Sequence, residues 1–153
     1  MTTRRSFLQT AAAASAAAIG FPYVVPARAL GRDGAVAPSN RITLGVMGAG
    51  NQGFNDMRDF LRDDRVQIVA VCDVNRESPG YWNGAVAGRE PGRRLVDEHY
   101  GQQKPSGVAK GCATYVDFRE LLAHPDLASV LICTPDHWHA IPVIAAAKAK
   151  KDI

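Results

Sequence analysis

Three stretches of this chain hold residues whose types and spacing can do chemistry. The hexapeptide Gly48-Ala49-Gly50-Asn51-Gln52-Gly53 fits the pattern GxGxxG. Where such a turn joins a strand to a helix it suits an anion, because the first helical amides have no internal partner and lie at the positive end of the helix dipole. Gly48 would permit the tight turn, Gly50 the approach of a diphosphate, and Gly53 close packing of helix on strand. Twenty residues beyond Gly53 stands Asp73. A carboxylate at that spacing can accept hydrogen bonds from ribose hydroxyls, so the expected ligand is a dinucleotide. Asp73 favours NAD over NADP, since it would repel the extra phosphate. Arg76 pulls the other way, because a guanidinium there could pair with that phosphate if the loop folded back.

The third stretch is Thr134-Pro135-Asp136-His137-Trp138-His139-Ala140. It follows an apolar run, at the strand end where open α/β sheets bind ligands. Three readings stand side by side. His137 and His139 with Asp136 or Cys133 could begin a metal site, although no further ligands are evident. Asp136 could instead cap a helix with Pro135 shaping the turn. Or Thr134 and the two imidazoles supply polar contacts to the wall of a nicotinamide pocket.

The elements that must position these residues follow from periodicity. ITLGVMG (42–48), VQIVAVC (66–72) and SVLICT (129–134) are nearly continuous apolar runs, as parallel strands covered on both faces require. Phe54, Met57 and Leu61 recur at helical spacing and predict a helix over 51–62 between the first two strands, a βαβ unit. A strand is expected around 113–116, then a short helix capped by Asp117 with Glu120 reaching back. Helices are expected over 94–100, stopped by Gly101, and over 140–152, with Pro142 in the first turn. The fold class is therefore α/β, a doubly wound parallel sheet of the Rossmann dinucleotide-binding type.

Residues 76–93 break every period with four glycines and two prolines. They form either a surface insertion or, through Tyr81 and Trp82, a cover over part of a ligand cleft. Cys72, Cys112 and Cys133 lack CxxC spacing and read as buried small hydrophobes. The formal charge of +3 comes from the N-terminus: without Arg4, Arg5 and Arg28, the 18 Lys and Arg fall to 15 against 15 Asp and Glu. Nothing basic remains to argue for nucleic acid.

Residues 1–29 have a cationic start, an apolar run from Ala11 to Ile19 too short to span a bilayer, and Ala27 and Ala29 in an AxA arrangement. Thr3-Arg4-Arg5-Ser6-Phe7-Leu8-Gln9 resembles the twin-arginine export motif. A signal peptide over 1–29 and a flexible leader over 30–40 are expected before a domain over 41–153.

GAGNQG after the first strand, CDVNR after the second, TPDHWHA after a later one and the ending AIPVIAAAKAKKDI together resemble the Gfo/Idh/MocA oxidoreductases, in particular exported bacterial members. The resemblance spans residues 41–153. It implies that Gly48, Gly50, Asn51, Gln52 and Gly53 hold the pyrophosphate, that Asp73 holds the adenosine ribose, and that Thr134, Pro135, His137 and His139 line the nicotinamide side. It implies a following α/β domain that forms the substrate floor and often an oligomer interface. It also implies a catalytic lysine in a Glu-Lys-Pro motif a residue or two beyond Ile153, so the domain is expected to be incomplete at its C-terminus and to hold no catalytic residue of its own. Lys148, Lys150 and Lys151 read as solvated surface at a helix end. The implied activity is hydride transfer from a sugar or polyol to NAD outside the cytoplasm. Glycoside cleavage by transient oxidation and a truncated, non-catalytic dinucleotide-binding fragment are the alternatives. Because the twin-arginine route carries folded proteins, the cofactor would be acquired before export and stay bound.

Overall fold

The computed structural model describes residues 36–153 apart from positions 105, 108 and 110 and the Asn83 side chain. The expected signal peptide and most of the leader lie outside the described residues. Of the leader's end, Pro38–Asn40 form one 3-10 turn.

Four parallel strands form one sheet: β1 (Ile42–Met47), β2 (Val66–Cys72), β3 (Ala113–Tyr115) and β4 (Ser129–Ile132), in the order β3-β2-β1-β4. The helices are α1 (Asn51–Leu61), α2 (Arg89–Gln102), α3 (Phe118–Leu122) and α4 (Asp136–Lys148). The chain winds outward from β1 to β3, then crosses back to place β4 on the other side of β1. This is the Rossmann-like doubly wound α/β fold that the alternating pattern predicts.

Two cores, one on each face of the sheet, hold the fold together. Leu44, Val46, Ile68 and Val71 pack with Met57 and Leu61 of α1 and Val96 of α2. Met47, Val69, Ala70, Cys72, Val130 and Ile132 pack with Leu121 of α3 and Ala146 of α4. Consecutive Val69 and Ala70 share a face because the β1–β2 register shifts between Leu44 and Gly45, a local bulge. Near this irregularity the Ile68 amide donates to Tyr100 Oη at 3.0 Å, so α2 supplies a side-chain acceptor to the strand.

Element boundaries differ from the sequence pattern in three places. Helix α2 begins at Arg89, five residues before expected, and carries Pro91 in its first turn, where the missing N–H costs little. It also runs through Gly101 to Gln102. Helix α4 begins at Asp136 and ends at Lys148, four residues early at each end. Pro142 therefore lies in the helix interior, buried, with no N–H for the Trp138 carbonyl. Third, Lys148 closes α4 while Lys150 and Lys151 lie beyond it. Lys150 adopts φ +56°, its amide donates to the Ala147 carbonyl, and the Lys151 amide donates to the Ala146 carbonyl, each at 3.0 Å. This is a Schellman stop with lysine where glycine is usual. Lys151 is not merely solvated, since its Nζ donates to the Leu127 carbonyl at 2.6 Å.

Asp117 caps α3 as expected, accepting from the Arg119 amide at 2.8 Å. Beyond β4, Asp152 makes a parallel bridge to Ser129. Helix α4 exposes Trp138, Ile141 and Ile144 by about half. Among the described residues no helix is long and apolar enough to cross a membrane.

Burial makes the cysteines inert. It pushes the Cys72 and Cys112 thiols up to about 12, with Asp73 and Asp97 respectively adding to the shift. In the unfolded chain these thiols ionise near pH 9. The unfolded state therefore loses protons that the folded state keeps, and stability present below pH 9 falls as pH rises from there toward 12. A denaturation series in pH should show a decline of up to about 1.4 kcal/mol per pH unit for each thiol, and Cys72→Ala with Cys112→Ala should remove the share of these two. Replacing Lys150 with Gly should raise the denaturation midpoint, by about 1 kcal/mol of stability, because the left-handed conformation then costs nothing at the backbone.

Candidate functional site

The turn from β1 to α1 is fixed by close approach. Gly48 has φ +93°, and a Cβ there would lie 2.7 Å from the Cys133 carbonyl oxygen of the neighbouring β4 end. A Cβ on Gly53 would collide with the Gly48 carbonyl oxygen. No other residue type fits either position without moving backbone. Gly50 then serves as the N-cap of α1 without a side-chain cap, and the first helical bond runs from the Phe54 amide to the Gly50 carbonyl at 2.9 Å. The amides of Asn51, Gln52 and Gly53 precede it and have no helical acceptor.

Asp73, at the end of β2, is half-buried beside this turn. Its Oδ2 accepts from the Ala49 amide at 2.7 Å and its Oδ1 from the Asn75 amide at 2.8 Å. The carboxylate thus staples the glycine loop to the second strand. Each oxygen keeps lone-pair capacity for another donor.

The side chains of Asn51 and Gln52 do not aim into the loop. Gln52 Nε2 donates to Asp56 Oδ1 at 2.6 Å, and Asn51 Oδ1 accepts from the Trp82 amide at 3.0 Å. What these residues offer an anion is backbone. Arg76 is exposed, and it is the carbonyls of Asn75 and Arg76 that do structural work, accepting from the Arg89 and Glu90 amides at 3.1 Å each. Sequence reasoning missed Arg89. Its Nη1 donates to the carbonyls of Asp73 at 3.1 Å and Val74 at 3.2 Å, placing a guanidinium beside Asp73, where Arg76 was expected. Nothing in its spacing signals this, because the approach of the two segments is non-local.

At the end of β4, the stretch Thr134 to Ala140 is not a loop. Pro135 is the N-cap of α4 and Asp136 its first residue, so Asp136 does not cap. His137 and His139 are exposed in the first turn, with His139 Nδ1 3.1 Å from the Thr134 carbonyl oxygen. Thr134 Oγ1 is buried and has no hydrogen-bond partner. Cys133 Sγ donates to Asp56 Oδ2 at 3.4 Å, and burial with that carboxylate pushes the thiol up to about 12. A protonated thiol facing an aspartate is a poor metal ligand or nucleophile. Among the described residues no group of three or more His, Cys, Asp or Glu gathers to hold a metal.

The irregular segment after β2 lies over the glycine loop. A bridge between Ser78 and Ala87 closes its base. The Tyr81 ring rests on Gly50, and Asn75 Nδ2 donates to Tyr81 Oη at 3.2 Å. A cleft of about 300 Å³ opens between this segment and α1, lined by Gly50, Asn51, Phe54, Arg58, Trp82 and Val86 among others. It shares Gly50 and Asn51 of the loop but not Asp73, Thr134 or the histidines, and so lies beside the expected dinucleotide path.

Fold and loop together define a Rossmann-type α/β domain. No family model matches the chain. It is similar to an alpha-N-acetylgalactosaminidase of Shewanella oneidensis, with 28% identity over 159 residues, 97% of this chain and 32% of that protein. It is also similar to a glycosyl hydrolase family 109 protein of a Shewanella species, 31% identical over 147 residues, 89% of this chain and 29% of the relative. The chain thus spans about a third of the length of these curated relatives. Among solved structures, apo scyllo-inositol dehydrogenase from Lactobacillus casei superposes with a TM-score of 0.52 at 18% identity, over 73% of this chain and 27% of that one. That likeness is one of fold.

Replacing Asp73 with Ala should destabilise the protein by about 1–3 kcal/mol even without ligand, because the Ala49 and Asn75 amides lose their acceptor. Chemical denaturation measures it, and Asp73→Asn, which keeps one acceptor oxygen, should lose less.

Proposed function

We propose that residues 41–153 are the nicotinamide-dinucleotide-binding part of an exported oxidoreductase of the Gfo/Idh/MocA type, acting on a sugar or polyol. The observation that carries this reading is the β1–α1 turn. Its bare glycines, its helical amides without acceptors and the Asp73 staple fit a diphosphate with a neighbouring ribose. The amides of Asn51, Gln52 and Gly53 would hold the diphosphate and Asp73 the ribose. Thr134, Pro135, His137 and His139 would face the nicotinamide, and the partnerless buried hydroxyl of Thr134 supports a ligand on that side. NAD is the preferred cofactor, with Asp73 the reason. Arg89 and Arg76 are the two cations placed to moderate that preference.

When bound, the nicotinamide supplies a hydride acceptor. This chain's residues bind and orient; the proton-transferring lysine would lie in a Glu-Lys-Pro motif following Ile153. The name of the Shewanella oneidensis relative favours a second reading, glycoside cleavage by transient oxidation. The two differ in outcome: a lasting change in cofactor absorbance marks the dehydrogenase, and sugar release without net reduction marks the glycosidase. Residues 1–29 would direct export to the periplasm by the twin-arginine route, with the cofactor bound beforehand.

Protein isolated gently from the periplasm should carry about one equivalent of NAD(H) per chain. Added back to stripped protein at about a hundred times its Kd, the cofactor should stabilise it by about 2.7 kcal/mol. A clean apo-protein with an unmoved thermal midpoint would overturn the reading.

A further inference from the structure

The site is covered by part of its own chain. The Tyr81 Cε1 atom lies 3.3 Å from the place a Cβ on Gly50 would take. That is the space which the bare glycine leaves open and which a diphosphate must enter. The ring is held there by Asn75, and the adjacent Trp82 amide is tied to Asn51 Oδ1. The rest of the segment is lightly anchored. Gly80 and Gly84 have φ of +103° and +72°, with nothing within 4 Å of where a Cβ would be. Trp82 is 72% exposed, and the cleft on the α1 side leaves the segment without packing there. A closed base, two unhindered glycines and a tip tied through Tyr81 and the Trp82 amide describe an element that can swing as a unit on a few dihedrals.

We propose that residues 79–86 form a self-occluding strap, with Tyr81 standing in the diphosphate seat of the ligand-free protein, so that the strap must swing aside before a dinucleotide can bind. This rests on the dinucleotide reading above. Opening breaks the Tyr81–Asn75 and Trp82–Asn51 bonds and frees Asn51 beside the helical amides. Apparent affinity is then the intrinsic affinity scaled by the open fraction; a strap closed in about nine molecules of ten weakens binding about tenfold.

Stopped-flow binding of NADH to the full chain, stripped of cofactor, tests this. Trp82 emission is followed in a Trp138→Phe background, since these are the two tryptophans. The observed rate should level off as NADH rises, at the opening rate of the strap. Tyr81→Ala should raise the association rate about tenfold, and Tyr81→Phe, which keeps the ring but loses the Asn75 bond, should fall between Tyr81→Ala and the parent, with thermal unfolding confirming that each variant is folded. An association rate in Tyr81→Ala equal to or slower than the parent's, with both proteins binding, overturns the strap while leaving the dinucleotide reading intact. Failure of both proteins to bind NADH or NADPH overturns both.

Discussion

The structure depends on one junction without spare room. Gly48, Gly53 and the Cys133 backbone meet where β1 ends, α1 begins and β4 ends, and a single methyl group at either glycine would enter a carbonyl oxygen. That contact brings the N-terminus of α1 to the carboxyl edge of the sheet and sets β1 and β4 side by side there. It also lies at the topological switch point, since the chain leaves β1 toward β2 on one side and returns to β4 on the other. Open α/β sheets place their ligands in this crevice. The packing constraint therefore also sets the shape of this crevice.

Asp73 couples that junction to the second strand. Its spacing predicts a ribose ligand, but in the protein alone it accepts from Ala49 and Asn75 and holds the loop in shape. A carboxylate that organises backbone donors is preorganised for a further hydroxyl donor, because its orientation is already set before a ligand arrives. Asn75 continues the chain of contacts to Ser78, Tyr81 and the Ala87 carbonyl. The glycine loop, the end of β2 and the strap are thus one hydrogen-bonded assembly.

Local pattern made much of this legible. Apolar runs gave three of the four strands, helical spacing at Phe54, Met57 and Leu61 gave α1, and Gly48, Gly50 and Gly53 gave the β1–α1 turn. What escaped was set by contacts remote in sequence. Helix α2 starts at Arg89 because carbonyls of Asn75 and Arg76 receive its first amides. Arg89 reaches the Asp73 and Val74 carbonyls for the same reason. Periodicity does not register either. At the end of β4 the pattern puts Pro142 in the first turn of a helix from Ala140, but the Trp138 and His139 amides donate to the Pro135 carbonyl and begin the helix earlier. Lys150 was unreadable because its left-handed backbone is imposed by the need to end α4 and reach the edge of β4.

The two helix N-termini on the glycine-loop face of the sheet show why one of them suits an anion. Both carry the same dipole and the same set of amides without helical partners. In α2 the Arg89 and Glu90 amides are met by carbonyls from the end of β2, and Pro91 offers no amide at all. In α1 no side chain caps the helix, and the neighbouring carboxylate bonds Ala49, one residue before the cap. Beside Gly50, at this terminus, stands the Tyr81 ring of the segment after β2, which offers those amides no acceptor. A terminus that neither a side chain nor a carbonyl caps leaves its first amides to solvent or to a ligand, and that difference, not the dipole, sets α1 apart from α2.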